Sequence, residues 1–286
     1  MASLRLAQIS DFHFTKLTWN PLRLFSKRLL GNLNWVLARK NKFSSLHLDA
    51  LPAYLKSCQL DRILLAGDFT TTSLISEFER AQTLIQQLET PWIAVPGNHD
   101  RYTFLACRKK LFYQYFSNSQ SGPFTLRENG VEKHNLGSGW YLIALDTARA
   151  TQFYDSSGLF SKRQEKALEE VLASIAKNEK ILLLNHYPFF ENDTPQRSLV
   201  RGTALEAIVH KDTRIKAYLH GHTHRHTIAN LQPSGLPVIL DGGCVANIDK
   251  GSWNRLVFDD QGVSIDVMKW KDSWTVVRQE RIEWTR

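Results

Sequence analysis

Short apolar runs alternate with longer segments of helical periodicity through most of the chain. The apolar runs predict strands at Leu4–Ile9, 62–66, 92–95, 140–145, 180–184 and 215–219. Apolar residues at spacings of three and four predict helices at 73–88, 103–116, 161–177 and 204–210. After residue 226 the pattern changes to short strands, predicted at 227–230, 238–240, 255–258 and 263–269.

This order of elements predicts an α/β sandwich whose C-terminal half is rich in strands. The chain has 286 residues and shows no internal repeat, low-complexity run or Pro/Gly-rich linker. We therefore expect a single domain over residues 1–286.

Composition excludes several classes of protein. The apolar fraction of 43% and the charged fraction of 22% are ordinary for a globular protein and unlike those of a disordered chain. The longest apolar runs are far shorter than a membrane span, and Arg5 and Gln8 interrupt the first run, which argues against a signal peptide. Three scattered cysteines suggest no disulfide framework, so we expect a reducing, cytoplasmic compartment.

The net charge of +8 is concentrated in one segment. Between Asp11 and Asp49 there are seven basic residues and no acidic ones. Asn20 and Pro21 can start a helix there, and Leu24 and Trp35 fall on its basic side. Two interpretations stay open: a core-packed helix with a solvated basic face, or a lid that contacts something apolar and anionic. We treat residues 14–48 as an insertion into the domain.

Polar clusters occur where the predicted strands end. The clusters are Asp11-Phe12-His13, Gly67-Asp68, Gly97-Asn98-His99-Asp100, Asn185-His186 and His220-Gly221-His222-Thr223-His224. Ligands of open α/β sheets bind at the carboxyl ends of strands, so these clusters can converge on one cleft. If the backbone remains regular, alternation would point His222 and His224 the same way.

The residue types in these clusters favour metal-ion chemistry. Nitrogen and oxygen ligands without thiolate suit divalent Mn, Fe or Zn. About seven candidate ligands are too many for one catalytic ion with an open position, whereas a two-metal site with a bridging carboxylate uses them all. Such a site stabilises the attacking and leaving oxygens of a displacement at phosphorus.

The ordered motifs Asp-x-His, Gly-Asp, Gly-Asn-His-Asp, His and Gly-His-x-His resemble those of the calcineurin-like metallophosphoesterase superfamily. They span Asp11 to His224. The resemblance implies a four-layer α/β/β/α sandwich of two mixed β-sheets flanked by helices, and it implies hydrolysis of a phosphodiester or pyrophosphate by a metal-bridging hydroxide. It also implies two divalent cations, with manganese, iron and zinc as candidates.

The resemblance further assigns roles to residues of this chain. The first metal would be held by Asp11, His13 and His224, the second by Asn98, His186 and His222, and Asp68 would bridge the two. His99 would contact the phosphate and protonate or stabilise the leaving oxygen. Asp100 would orient His99. No further cofactor is implied.

Neither the fold nor the metal site determines the substrate. One hypothesis is a lipid-linked nucleotide, with residues 20–42 contacting an anionic membrane surface at the inner face of the membrane. Residues 14–48 would then be similar in purpose to the lipid-binding insertion of UDP-2,3-diacylglucosamine pyrophosphatases. The alternatives are a cyclic-nucleotide phosphodiesterase, a nuclease that uses the basic segment, and, less favoured, a non-catalytic scaffold.

Overall fold

Two six-stranded sheets form the centre of the computed structural model. The structure describes residues 3–16, 28–29, 46–118, 123–191 and 194–285. Most of the predicted insertion at 14–48, including most of its helix, lies outside these residues. Among the described residues, none forms a helix with the length and apolar composition needed to cross a bilayer.

The first sheet is mixed. Its strands, in spatial order, are β14 (Ser273–Glu283), β13 (Gly262–Lys271), β12 (Ser252–Phe258), β1 (Leu4–Ile9), β2 (Arg62–Leu65) and β3 (Trp92–Ala94). Strands β1, β2 and β3 are parallel, whereas β12 pairs antiparallel with β1. The carboxyl ends of β1, β2 and β3 therefore lie at one edge.

The second sheet is also mixed. Its spatial order is β10 (Thr227–Asn230), β11 (Val238–Asp241), β9 (Ile215–His220), β7 (Lys180–Leu184), β5 (Trp140–Leu145) and β4 (Val131–Gly137). Strands β11, β9, β7 and β5 are parallel, and the two outer strands are antiparallel to their neighbours. A small parallel pair joins β6 (Gly158–Leu159) to β8 (Leu199–Val200).

Helices cover the outer faces of both sheets. Those in the described residues are α1 (Leu46–Asp49), α2 (Leu51–Ser57), α3 (Ile75–Ile85), α4 (Phe104–Arg108), α5 (Phe112–Tyr115), α6 (Leu126–Asn129), α7 (Lys162–Ala173) and α8 (Gly202–Lys211). Short 3₁₀ turns occur at Pro195–Arg197 and Gln232–Ser234. The two mixed sheets and their helices confirm the predicted four-layer fold.

Strand alternation builds three apolar layers. In β2, Leu64 faces the layer between the sheets, while Ile63 and Leu65 face the layer under α2 and α3. The third layer lies between the second sheet and helices α7 and α8. Because each central strand is covered on both faces, its sequence is almost entirely apolar, which explains why these strands were predictable.

Some local expectations were wrong. The helix predicted over 103–116 is two short helices, α4 and α5, because Lys110 adopts a left-handed backbone with φ of 50° between them. Strand β4 was not predicted, since its polar face hides the apolar alternation. A capping box of Ser161 and Gln164 starts α7, and the Ser161 hydroxyl accepts from the Gln164 amide at 3.2 Å.

Trp253, Trp270 and Trp274 pack on the outer face of the first sheet. The rings of Trp253 and Trp274 lie edge to face at 6.1 Å, and Trp270 contacts Trp274 at 5.6 Å. The indole of Trp274 also donates to the carbonyl of His47 at 3.1 Å. This cluster anchors α1 beside the loops that follow β1.

Candidate metal centre

The loops after β1 and β2 hold the first part of the centre. Backbone pairing continues beyond the strands: the amide of Asp11 donates to the backbone carbonyl of Gly67 at 3.0 Å, and the amide of His13 donates to the backbone carbonyl of Asp68 at 2.9 Å. Asp11, His13 and Asp68 are all buried. The extended pairing therefore fixes these three side chains relative to one another.

The loops after β7 and β9 bring the second sheet to the same place. The amide of Gly221 donates to the carbonyl of His186 at 3.1 Å, and the amide of His222 donates to Asp11 Oδ2 at 3.2 Å. A Cβ atom on Gly221 would lie 2.6 Å from Asp11 Oδ2. Glycine is thus required where the two sheets' loops meet.

The third motif depends on another glycine. A Cβ atom built on Gly97 would lie 2.1 Å from Asp68 Oδ1. The amide of His99 donates to that same oxygen at 2.8 Å. The Gly-Asn-His sequence therefore lets the backbone approach the Asp68 carboxylate closely.

One group of donor atoms surrounds Asp11. His224 Nε2 lies 3.1 Å from Asp11 Oδ1, and His13 Nε2 lies 3.6 Å from the same oxygen. His13 Nε2 and Asp68 Oδ2 are 3.9 Å apart. One donor atom from each of these four residues lies within 4.8 Å of every other.

A second group surrounds Asn98. Its Oδ1 atom lies 3.2 Å from His186 Nε2 and 3.0 Å from His222 Nδ1. His186 Nε2 also lies 3.5 Å from Asp68 Oδ2. The Asp68 carboxylate therefore lies between the two groups, at the position expected of a bridging ligand.

Backbone carbonyls orient both imidazoles of this second group. His186 Nδ1 lies 2.7 Å from the Ala66 carbonyl, and His222 Nε2 lies 2.8 Å from the Arg197 carbonyl. With these nitrogens donating, the opposite nitrogen of each neutral ring carries a lone pair that faces Asn98 Oδ1. Lone pairs and oxygens that converge in this way suit a cation.

The electrostatics of the buried carboxylates also suit a cation. Burial alone would raise the pKa of Asp11 and Asp68, but the facing imidazoles lower both below the ordinary value. Burial opposes protonation of His186, yet the Asp68 charge raises its pKa to about 9. Asp11 Oδ1 is buried and has no well-aligned hydrogen bond among the described residues. The donor set therefore fits divalent cations.

Strained backbone conformations accompany these side chains. Five of the seven predicted ligands have positive φ angles between 46° and 71°, namely Asp11, His13, Asp68, His222 and His224. Left-handed backbone costs a non-glycine residue about 1–2 kcal/mol, and such strain is typical of functional sites. The condition under which alternation would point His222 and His224 the same way is therefore not met, because both residues leave the extended conformation.

His99 and Asp100 are both held by the backbone of neighbouring loops. His99 Nδ1 lies 2.6 Å from the Thr71 carbonyl. The Asp100 carboxylate accepts from backbone amides, including those of Gly97 at 3.0 Å and Thr70 at 2.9 Å. Asp100 therefore connects the loops that carry His99 and Thr71, and the Thr71 carbonyl faces the His99 imidazole.

The centre opens into a cleft of about 300 Å³. It is lined by Asp68, Asn98, His99, Ser156, Arg197, His222, Thr223 and His224. Sequence reasoning missed Ser156 and Arg197 because they lie in the loops around β6 and β8, where no strand-end motif marks them. A larger cavity of about 700 Å³ lies beside α7 and the α8–β9 turn and includes none of the predicted site residues.

Asp241 supports the His222 loop, and its strand-end position could have identified it. Its carboxylate accepts from the Thr223 hydroxyl and from the Gly243 amide. Burial raises the pKa of Asp241 well above its ordinary value. The adjacent Gly242 lies near Gln8 and is not among the residues that line the cleft.

The fold and the site define a metal-dependent phosphoester hydrolase. A family model described as calcineurin-like phosphoesterase matches residues 4–226. The chain belongs to that family, as its motifs predicted. The family implies two divalent metal ions and small phosphoester substrates.

Two curated relatives are named as probable cyclic nucleotide phosphodiesterases. One, from Vesicomyosocius okutanii (strain HA), is 24% identical over 192 residues, covering 65% of this chain and 73% of that protein. The other, from a Synechococcus strain, is 25% identical over 232 residues, covering 77% of this chain and 80% of that protein.

Solved structures share the fold. A dimetal phosphatase from Danio rerio aligns with a TM-score of 0.73 at 14% identity, covering 99% of both chains. A purple acid phosphatase from yellow lupin seeds aligns with a TM-score of 0.67 at 13% identity, covering 99% of this chain and 54% of that one. At these identities the likeness concerns the fold alone.

Proposed function

We propose that the chain hydrolyses small phosphodiesters, with cyclic nucleotides as the leading substrate class. The names of the two curated relatives support this class. The cleft of about 300 Å³ is at the lower end of the size range of small-molecule sites, roughly 300–1,000 Å³. A mononucleotide-sized ligand matches this volume better than a large one.

In this proposal the predicted ligands keep their roles. Asp11, His13 and His224 would hold the first cation, Asn98, His186 and His222 would hold the second, and Asp68 would bridge them. Two divalent cations in a site of this kind lower the pKa of water and neutralise charge on a phosphoryl group. The protein supplies their fixed, buried donor set and positions the substrate beside it.

The observation that carries the proposal is the placement of His99. Its ring lines the cleft, its amide is bonded to Asp68, and its Nδ1 atom faces the Thr71 carbonyl. A doubly protonated ring held in this way keeps its bond to Thr71 while Nε2 donates a proton to a leaving oxygen. His99 is thus suited to general-acid catalysis of P–O cleavage.

Arg197 gives the cleft a cationic side chain on the side of the second sheet. Its carbonyl is bonded to His222 at 2.8 Å, which fixes its backbone beside the centre. A guanidinium is the side chain best suited to bind phosphate oxygens in a bidentate manner. We assign Arg197 to binding of the substrate phosphate.

The other substrate hypotheses depend on the basic segment. Of residues 20–42 the structure describes only 28 and 29, and Arg28 donates to the carbonyls of Thr72 and Ser73 at 3.0 Å. The insertion therefore contacts the loop whose Thr71 carbonyl faces His99. A pyrophosphate, a lipid-linked nucleotide and a nucleic acid stay predictions, as does membrane contact through this segment.

A substrate panel tests the proposal. The Mn²⁺-loaded protein is assayed with cyclic AMP, cyclic GMP, bis-p-nitrophenyl phosphate, a phosphomonoester, a UDP-linked lipid and single-stranded DNA. We expect turnover of the diesters, with cyclic nucleotides giving the highest kcat/KM. Faster hydrolysis of the lipid or DNA would reject the substrate class, and absence of turnover with Mn²⁺, Fe²⁺ and Zn²⁺ would reject the function.

A further inference from the structure

Cys244 lies at the metal centre, where the sequence motifs contain no thiol. Its Sγ atom and one ring nitrogen each of His13 and His224 lie within 4.8 Å of one another. Cys244 is 2% exposed and His13 is 3% exposed. The donor atoms therefore form a compact cluster of two nitrogens and one sulfur, in which His13 and Cys244 are buried and His224 is half-buried.

Backbone hydrogen bonds fix the position of this thiol. The amide of Val245 donates to the backbone carbonyl of Ser10 at 3.0 Å, and the Ser10 hydroxyl donates to the backbone carbonyl of Gly243 at 2.8 Å. The Cys244 thiol itself lies 3.3 Å from the Asp11 carbonyl. Because the segment pairs with the loop after β1 on both sides of Cys244, the sulfur is held beside the ligands of the first cation.

Two donor sets share the same imidazoles. One consists of Asp11, His13, Asp68 and His224, and the other of His13, His224 and Cys244. The first set offers carboxylate oxygens and suits Mn²⁺, whereas the second offers sulfur. Both sets contain one ring nitrogen of His13 and one of His224, and the Nε2 atoms of these two residues are 2.9 Å apart.

We propose that Cys244, with His13 and His224, binds a thiophilic divalent cation such as Zn²⁺, Co²⁺ or Cd²⁺. Binding forms a metal–sulfur bond and releases the thiol proton to solvent. Tetrahedral coordination by one sulfur and two imidazoles separates donor atoms by roughly 3.5 Å, so small side-chain adjustments complete the site.

The shared imidazoles give this site a consequence for cation preference. A cation bound by His13 and His224 can be held in addition by the carboxylates or by the sulfur. Thiophilic cations bind more tightly when Cys244 is a ligand. The inference rests on the proposed function only in taking His13 and His224 as metal ligands. It predicts that this chain prefers zinc-like cations over Mn²⁺ at the first position.

Absorption spectroscopy tests the proposal without any assay of activity. Metal-stripped protein is titrated with Co²⁺ and then with Cd²⁺, while near-UV absorption and bound metal are measured. Thiolate ligation gives a sulfur-to-metal charge-transfer band. The test variant is Cys244→Ser, which keeps a hydroxyl near the Asp11 carbonyl. Cys58→Ser and Cys107→Ser are matched controls, because neither cysteine belongs to a donor cluster in the described residues.

We expect the band in the parent protein and in both controls, and its loss in Cys244→Ser. Cd²⁺ affinity should fall by roughly tenfold or more in Cys244→Ser, since loss of even an outer partner of a ligand costs about that much, while Mn²⁺ affinity changes less. Bound Co²⁺ without the band, or a band that persists in Cys244→Ser, would overturn the proposal. Turnover of diesters with Mn²⁺ separately tests the proposed function, so the two failures are distinguishable.

Discussion

The carboxylate of Asp68 accepts a hydrogen bond of 2.8 Å from the backbone amide of His99. This bond joins the candidate bridging ligand to the candidate general acid. It depends on Gly97, where a side chain would collide with the same carboxylate. A substitution at any of these three residues should therefore change the positions of the other two.

Substitution of the candidate bridging carboxylate should weaken metal binding strongly and leave the fold intact. Asp68→Asn keeps the side-chain volume and an oxygen that can accept from His99, but it removes the charge shared by both donor groups. We expect metal affinity and turnover to fall by roughly 100-fold or more, exceeding the loss from an outer partner. Elemental analysis, kcat and the thermal midpoint check this. Full metal content in the variant would contradict the bridging role.

Loss of the general acid should depend on the leaving group. His99→Ala should lower kcat by about 100- to 10,000-fold for a cyclic nucleotide. The loss should be much smaller for bis-p-nitrophenyl phosphate, because p-nitrophenolate leaves without a proton. Metal content should be unchanged. Equal losses on both substrates would show that His99 does not donate the proton.

The cleft arginine should affect substrate binding more than the chemical step. Arg197→Ala should raise KM by about tenfold or more, since a hydrogen bond to a charged group is worth about 1.5–3 kcal/mol. Arg197→Lys keeps the charge but loses the bidentate geometry of the guanidinium, so its KM should lie between those of the parent protein and Arg197→Ala. Steady-state kinetics on a diester measure both. An unchanged KM in Arg197→Ala would exclude contact with the phosphate.

The close approaches at the glycines should be intolerant of a methyl group. Gly97→Ala and Gly221→Ala place Cβ atoms 2.1 Å and 2.6 Å from the carboxylates of Asp68 and Asp11. We expect each to cost about 1–3 kcal/mol of stability, as overpacking does, and to lose bound metal. Gly242→Ala is the control, because its nearest contact is 3.4 Å. Denaturant unfolding and elemental analysis separate the three variants.

A buried ion pair joins the two sheets beside the centre. Arg101, next to Asp100 after β3, pairs with Asp146 at the end of β5, and Tyr113 donates to the same carboxylate. Asp146→Asn leaves the buried guanidinium unbalanced and should cost about 3–5 kcal/mol. The exposed pair of Lys56 and Glu89 is the control, and Glu89→Gln should cost less than about 1 kcal/mol. Equal unfolding midpoints would contradict the difference.

The parts of the fold that were predictable are those with a local cause. The central strands β1, β2, β7 and β9 are covered on both faces, so their apolar runs stand out. Strand β4 and helices α1 and α2 have weaker patterns and were not predicted. The break between α4 and α5 depends on one residue, Lys110, whose left-handed conformation no periodicity indicates.

The candidate ligands could be named from sequence because each follows a strand and belongs to an ordered motif. What the motifs could not give was the geometry of their support. Asp100 was predicted to orient His99, and the structure adds that its carboxylate accepts from loop amides while the Thr71 carbonyl faces the ring. Hydrogen bonds between loops far apart in sequence have no local signature.

By itself the sequence determined the layered fold, the family and the motif residues that are candidate ligands, because strand burial and short motifs are local properties. Only the tertiary structure decided that the carboxyl edges of two sheets meet at Asp11 and Gly221, and that Arg197 and Cys244 join them. Arg197 and Cys244 come from segments without motifs. They reach the centre because the two sheets pack against one apolar layer. Contacts of this kind join residues far apart in the sequence, so no local sequence pattern predicts them.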